Sequence, residues 1–148
     1  MPQTFLSQLE AHIRTAYAEQ GGLADELLSG SPVTEAEIAA AEQLLGTTFP
    51  SLYRALLLRF GGGCDLGIEI DSLPQVIENT QWLRQYFADS PSLPEGLLQQ
   101  GIAFAGDGSG NYFVLHNGAV WLPDHDSGAC TREAESLEAF LRHASSAA

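Results

Sequence analysis

The chain has 148 residues, enough for one packed domain, and its 45% hydrophobic and 17% charged content argues for a globular core over disorder. Nineteen acidic residues against six basic ones give a formal net charge of −13, and all six basic residues are arginine. The absence of lysine excludes lysine Schiff-base chemistry and a P-loop, while the acidity argues against direct nucleic-acid binding and favours a basic partner or simple solubility.

The N-terminal segment MPQTFLSQLEAHIR has no apolar run of the signal-peptide kind, and no stretch approaches membrane length. The two cysteines, Cys64 and Cys130, form neither a C-x-x-C unit nor a zinc spacing. A cytoplasmic protein with free thiols is therefore expected.

Phe5 to Ala18 reads as an amphipathic helix with a stripe of Phe5, Leu9, Ile13 and Ala16, closed by Gly21-Gly22. Leu23 to Pro32 reads as loop, with a short helical turn at Asp25–Leu28 as the alternative. Thr34-x-x-Glu37 is a capping box that opens a helix through Leu45, ended by Gly46 in left-handed geometry. Its stripe is Ile38, Ala41, Leu44 and Leu45. Glu42 borders that stripe, so its carboxylate is expected to bond nearby backbone.

Pro50 suits a helix start, and Ser51 to Phe60 should be largely buried, with Leu52, Leu56, Leu57, Leu58 and Phe60 around most of its circumference. Gly61-Gly62-Gly63 follows that helix instead of preceding one, so it reads as a turn and not a phosphate cradle. Gly67 to Ile70 is a predicted short strand. Ser72-x-x-Gln75 reads as a second capping box, opening a helix to about Phe87 that buries Leu73, Val76, Ile77, Leu83, Tyr86 and Phe87. The segment DSPSLPE is loop.

The central stretch is IAFAGDGSGNYFVLHNGAVWLPDHD, residues 102–126. It reads as strand, glycine-rich turn, strand, tight turn, strand. Asn117-Gly118 between apolar runs is a type I′ hairpin signal, because both central residues of that turn need positive φ. The two-residue loop sets Leu115 opposite Val120 and Phe113 opposite Leu122 on one apolar face. The other face carries Tyr112, Val114, His116, Ala119 and Trp121. It is mixed, and is either covered by another element or left as a binding surface. A short helix with Leu137, Phe140 and Leu141, capped by Ser136, closes the chain before a tail, HASSAA, that should fray.

Two segments together resemble the SUKH superfamily of Smi/Knr-type domains. One is TEAEIAAAEQLLGTTFPSLYRALLLRFGGG, carrying Glu42, Gly46, Pro50, Tyr53, Gly61 and Gly62 as signature positions. The other is the central stretch, with Gly106, Asp107, Asn117 and Gly118, followed by the closing SLEAFLRHA. The resemblance implies an α+β fold: a central antiparallel sheet of about four to six strands flanked by helices. It implies one domain over 1–148, with the helix at about 5–18 appended. The family includes fungal regulators of cell-wall synthesis and bacterial immunity proteins that neutralise polymorphic toxins, often nucleases or deaminases. This chain looks like the bacterial single-domain form. No catalytic residue and no cofactor carry over.

Asp107, Ser109 and Asn111 alternate like a calcium loop, but Tyr112 and Gly118 stand where Gly and Glu are needed, leaving a glycine-rich turn in which Asp107 bonds nearby amides. Asp124-His125-Asp126 could bind a metal only if the strand has ended, as Pro123 suggests. The plainer reading is a His125 oriented by a carboxylate. Ser109 lacks the hydrolase elbow, and Cys64 has no neighbouring base in sequence. Tyr112, His116 and Trp121 share a predicted face, and Tyr and Trp are common at interface hot spots. The expected function is a non-enzymatic protein-binding module, an immunity protein for a basic, nuclease-type toxin. Partner contacts are expected at Asp107, Tyr112, His116, Trp121, His125 and Asp126. The alternatives are a regulatory protein-interaction scaffold and a small metal-dependent enzyme using Asp107, His125 and Asp126.

Overall fold

In the computed structural model, which describes residues 2–146, the Asn117-Gly118 turn organises the sheet. Both residues adopt positive φ, 50° and 76°. The flanking strands β2 (Tyr112–His116) and β3 (Ala119–Pro123) pair antiparallel, with Leu115 opposite Val120 as expected and Val114 opposite Trp121. Strands β1 (Ile102–Gly106) and β4 (Cys130–Ala134) extend the meander on either side, in the order β1-β2-β3-β4. The expected α+β architecture is therefore present, with four strands among the described residues.

The register shifts between Ala103 and Ala105, so Phe104 is an extra residue, a β-bulge. The groups that the bulge frees are met by the neighbouring helix α5 (Leu73–Tyr86) and its lead-in. Thr80 Oγ1 accepts the Ala103 amide at 3.0 Å, and the Phe104 carbonyl accepts the Asp71 amide at 3.0 Å. The bulge also turns Phe104 and Ala105 together into the larger core.

That core lies on one face of the sheet. It joins Ile102, Phe104, Leu115 and Val120 to α1 (Pro2–Ala16), α3 (Glu35–Leu45), α4 (Ser51–Phe60) and α7 (Leu137–Ser146). From α1 it takes Phe5, Leu6, Leu9 and Ile13, while Ala16, expected in the stripe, is exposed. The opposite face has its own smaller core. Ala103 and Val114 pack with Leu83 and Phe87 of α5 and with Leu97 of the short α6 (Leu97–Gln100). The mixed face of the hairpin is thus covered over most of its area.

Several expectations need correction. Leu23–Leu28 is a helix, α2, so the helical alternative forms in place of the loop and begins two residues earlier than Asp25. Gly67–Ile70 is not a strand: only an isolated bridge joins Asp65 and Glu69, and Gly67 sits at φ 95° against the backbone of Ala144. Ser72 caps α5 through the Gln75 amide, but the Gln75 side chain donates to Asn79 and does not return to the cap, so the box is only half formed. Leu44, Leu58 and Tyr86 are exposed despite their apolar stripes. Helix α7 continues through Ser146, with Ser145 buried where fraying was expected. The last two residues of the tail, 147 and 148, lie outside the described residues.

The capping box at Thr34 and Glu37 is complete, and Gly46 ends α3 at φ 69°. Glu42 accepts the Phe49 amide at 2.7 Å and Arg54 Nη2 at 2.9 Å, which ties the end of α3 to the start of α4. The triple glycine is a turn, and Gly62 pairs antiparallel with Ser31.

Candidate protein-binding face

The meander sends its two longer turns, residues 107–111 and 124–129, out of the same end of the sheet. The C-terminal half of α5 reaches that end. Leu73, Val76, Thr80, Leu83 and Phe87 share one side of α5, and about 100° per residue places Trp82 and Tyr86 on the other. Trp82 and Tyr86 are 36% and 52% exposed and stack at a centroid distance of 4.9 Å. Trp82 also meets Tyr112 edge-on at 5.6 Å, and Tyr86 meets His125 at 6.4 Å.

A chain of hydrogen bonds holds the two turns together. The Asp107 carboxylate accepts the amides of Ser109 at 2.8 Å and Asn111 at 3.1 Å, and the Ser109 hydroxyl at 2.7 Å. Asn111 Oδ1 accepts the backbone amide of His125 at 3.0 Å. That amide can only donate, which fixes the orientation of the Asn111 side chain. His125 Nδ1 donates to the same oxygen, so the ring proton lies on Nδ1. His125 is therefore oriented by an amide oxygen. The expectation of a carboxylate in that role is thus corrected; the Asp126 carboxylate stands 3.4 Å from Nε2, with its side chain 87% exposed. Tyr86 closes the network by donating its hydroxyl to the His125 carbonyl at 2.7 Å.

Asp107, Tyr112, His125 and Asp126 are thus brought to one end of the sheet. His116 lies at the far end of β2, buried, with Nε2 donating to the Glu95 carbonyl at 3.0 Å. Trp121, half-buried in mid-strand, donates from Nε1 to the His116 carbonyl at 3.2 Å. Trp82 and Tyr86 were not among the expected contacts. The available signal was their i, i+4 spacing on the side of α5 away from Leu83 and Phe87.

The Asp107 and Asp124 carboxylates of the turns are held by local hydrogen bonds. Strand β3 ends at Pro123, so Asp124, His125 and Asp126 each bring a ligand atom to within 4.8 Å of the others. Asp124 Oδ1, however, already accepts the amides of Asp126 at 2.8 Å and Ser127 at 3.4 Å. Burial pushes the Cys64 thiol up to about 12 and the Cys130 thiol up to about 11, so neither is a thiolate at neutral pH.

Partial burial pushes the Asp107 carboxyl upward, but its bonds from Ser109 and Asn111 outweigh this and hold it below the ordinary carboxylate range. The Asp126 amide, helped by Ser127, lowers Asp124 in the same way. Depressed folded values mean that both groups favour the folded state above the unfolded pKa of about 3.9, and that this contribution is lost as pH falls through the folded values. Carboxyl-carbon NMR titration is expected to place both midpoints below that reference. Midpoints at or above it would show that these turns do not stabilise the charged form.

The described residues define an α+β domain whose exposed aromatic ledge and carboxylate-bearing turns lie at one end of the sheet. No described helix is long and apolar enough to cross a membrane. The chain matches the SMI1 / KNR4 family (SUKH-1) over residues 32–143 and belongs to it. A search of curated proteins returned no match.

Proposed function

We propose that this chain is a protein-binding module acting as an immunity protein. It neutralises a basic toxin domain of the nuclease type by covering the toxin's working surface, without chemistry on a substrate. Membership of SUKH-1 across residues 32–143 carries this reading, because the superfamily that the sequence resembles includes many bacterial immunity proteins. The net charge of −13 supports a basic partner, since negative potential speeds encounter and fixes orientation. The turn hydrogen bonds occupy Asp107 and Asp124 in backbone roles, which favours a binding surface over a metal-dependent enzyme. The cytoplasm is the proposed compartment, where such a toxin would otherwise act.

The test is to mix the purified chain with the toxin domain encoded beside its gene. A stable complex is expected, with toxin activity lost at stoichiometric ratio. Undetected association at micromolar protein would contradict the immunity reading.

A further inference from the structure

We propose that the ledge formed by Trp82, Tyr86 and Tyr112, with Asp126 and the two acidic turns at its edge, is a docking surface for arginine and lysine side chains of a protein partner. The inference deepens the protein-binding reading above and rests on it, but it does not require the partner to be a toxin.

Three observations carry it. The first is exposure. Trp82 and Tyr86 are large aromatic side chains left open side by side, while Leu73, Val76 and Leu83 of the same helix are buried. Trp and Tyr in such a setting are the residue types that dominate interface energetics.

The second is rigidity. Tyr86 is fixed to the His125 carbonyl, His125 to Asn111, and Asn111 to Asp107. Trp82 is braced by Tyr86, Phe87 and Tyr112. A ledge already held in place loses little conformational freedom on binding, and that favours affinity.

The third is charge complementarity. Asp107, Asp124 and Asp126 sit on the two turns that this network joins, and Asp126 is the most open of them. Four of the six described arginines have their charge met by carboxylates, and two do not. Arg14, Arg54, Arg59 and Arg142 are paired with carboxylates, and Arg84, although on α5, donates to the Leu45 and Gln99 carbonyls. Arg132 stands on β4 opposite Trp121. Aromatic faces beside carboxylates suit guanidinium and ammonium groups, through cation–π attraction and charge-assisted hydrogen bonds together. An acidic partner would be repelled by the charge of these turns, and a purely apolar one would leave exposed Asp126 without compensation.

The test uses the full chain and a capped oligo-arginine peptide, followed by NMR. Saturable shifts centred on the Trp82 indole, Tyr86, Tyr112 and Asp126 are expected. Trp82→Ala with Tyr86→Ala should weaken peptide binding about ten-fold, as loss of two aromatic contacts implies. Asp126→Asn removes the most open carboxylate without touching the ring stack, so it should also weaken binding, by about two- to five-fold, and it keeps the proposal testable if the double variant fails to fold. Shifts spread evenly over the acidic surface would overturn the proposal. So would a folded double variant or an Asp126→Asn variant that binds the peptide as the parent does, or equal binding of an oligo-glutamate peptide. Self-association of the free chain that buries Trp82 would overturn it in favour of a second copy as occupant. These outcomes are separable from failure of the immunity reading, which is decided by the toxin mixture alone.

Discussion

Gly61→Ala is expected to destabilise the fold by about 3 kcal/mol or more, enough to unfold a marginal domain. Gly61 sits at φ 81° and ψ 177°, a backbone region that side-chain-bearing residues scarcely enter. A Cβ there would also stand 2.3 Å from the Ser31 carbonyl oxygen. That oxygen cannot retreat cheaply, because it accepts the Gly62 amide at 2.9 Å, and the Ser31 amide donates to the Gly62 carbonyl at 2.8 Å. Gly30 meets the same constraint from the other side, its amide donating to the Phe60 carbonyl at 2.7 Å. Gly63 supplies the control. Its φ is 83°, but nothing lies within 4 Å of an added Cβ, so Gly63→Ala should cost only the backbone term, about 1–2 kcal/mol. Urea denaturation of both variants checks this. Equal losses would show that the close approach of the two glycine segments contributes nothing.

Glu42→Ala should cost about 2–3 kcal/mol, the range for charge-assisted hydrogen bonds lost from a mostly buried site. The Glu42 side chain is 16% exposed, and it meets two needs at once. One oxygen accepts the amide of Phe49, a residue that is almost fully buried; the other pairs with Arg54. Arg54 keeps a second partner in exposed Glu35 at 2.9 Å, so the stranded Phe49 amide should dominate the loss. Glu42→Gln can still accept that amide and should recover more than half of the stability. Denaturation of the pair of variants separates the contributions. If glutamine is no better than alanine, the charge pair and not the amide is what matters.

The features legible in the sequence were those set by local chemistry. Thr34 with Glu37, Gly46, and Asn117 with Gly118 each act over a few residues, so their spacing alone specified a cap, a stop and a turn. Glu42 was readable as a structural carboxylate because its place at the edge of a stripe demanded a nearby partner. The pairing of Gly30 with Gly61 was not readable, because it joins segments thirty residues apart through backbone contact and leaves no side-chain pattern. The Phe104 bulge was hidden for a related reason: Thr80 and Asp71, which satisfy it, lie far upstream. Strand β4 leaves no sequence signal, because Thr131, Arg132 and Glu133 are exposed and break the apolar alternation. At the candidate face, the two turns were visible as motifs while the helix beside them was not. Tyr86 fitted an apolar count, and only the packing of α5 shows that it and Trp82 face outward.

In the proposed binding role the molecule works by shape and negative potential. The most direct measurement is its association rate with the proposed toxin partner, followed by stopped flow across a series of salt concentrations. The expected result is fast association that slows steadily as salt rises, while dissociation changes little. An association rate indifferent to ionic strength would contradict the electrostatic claim.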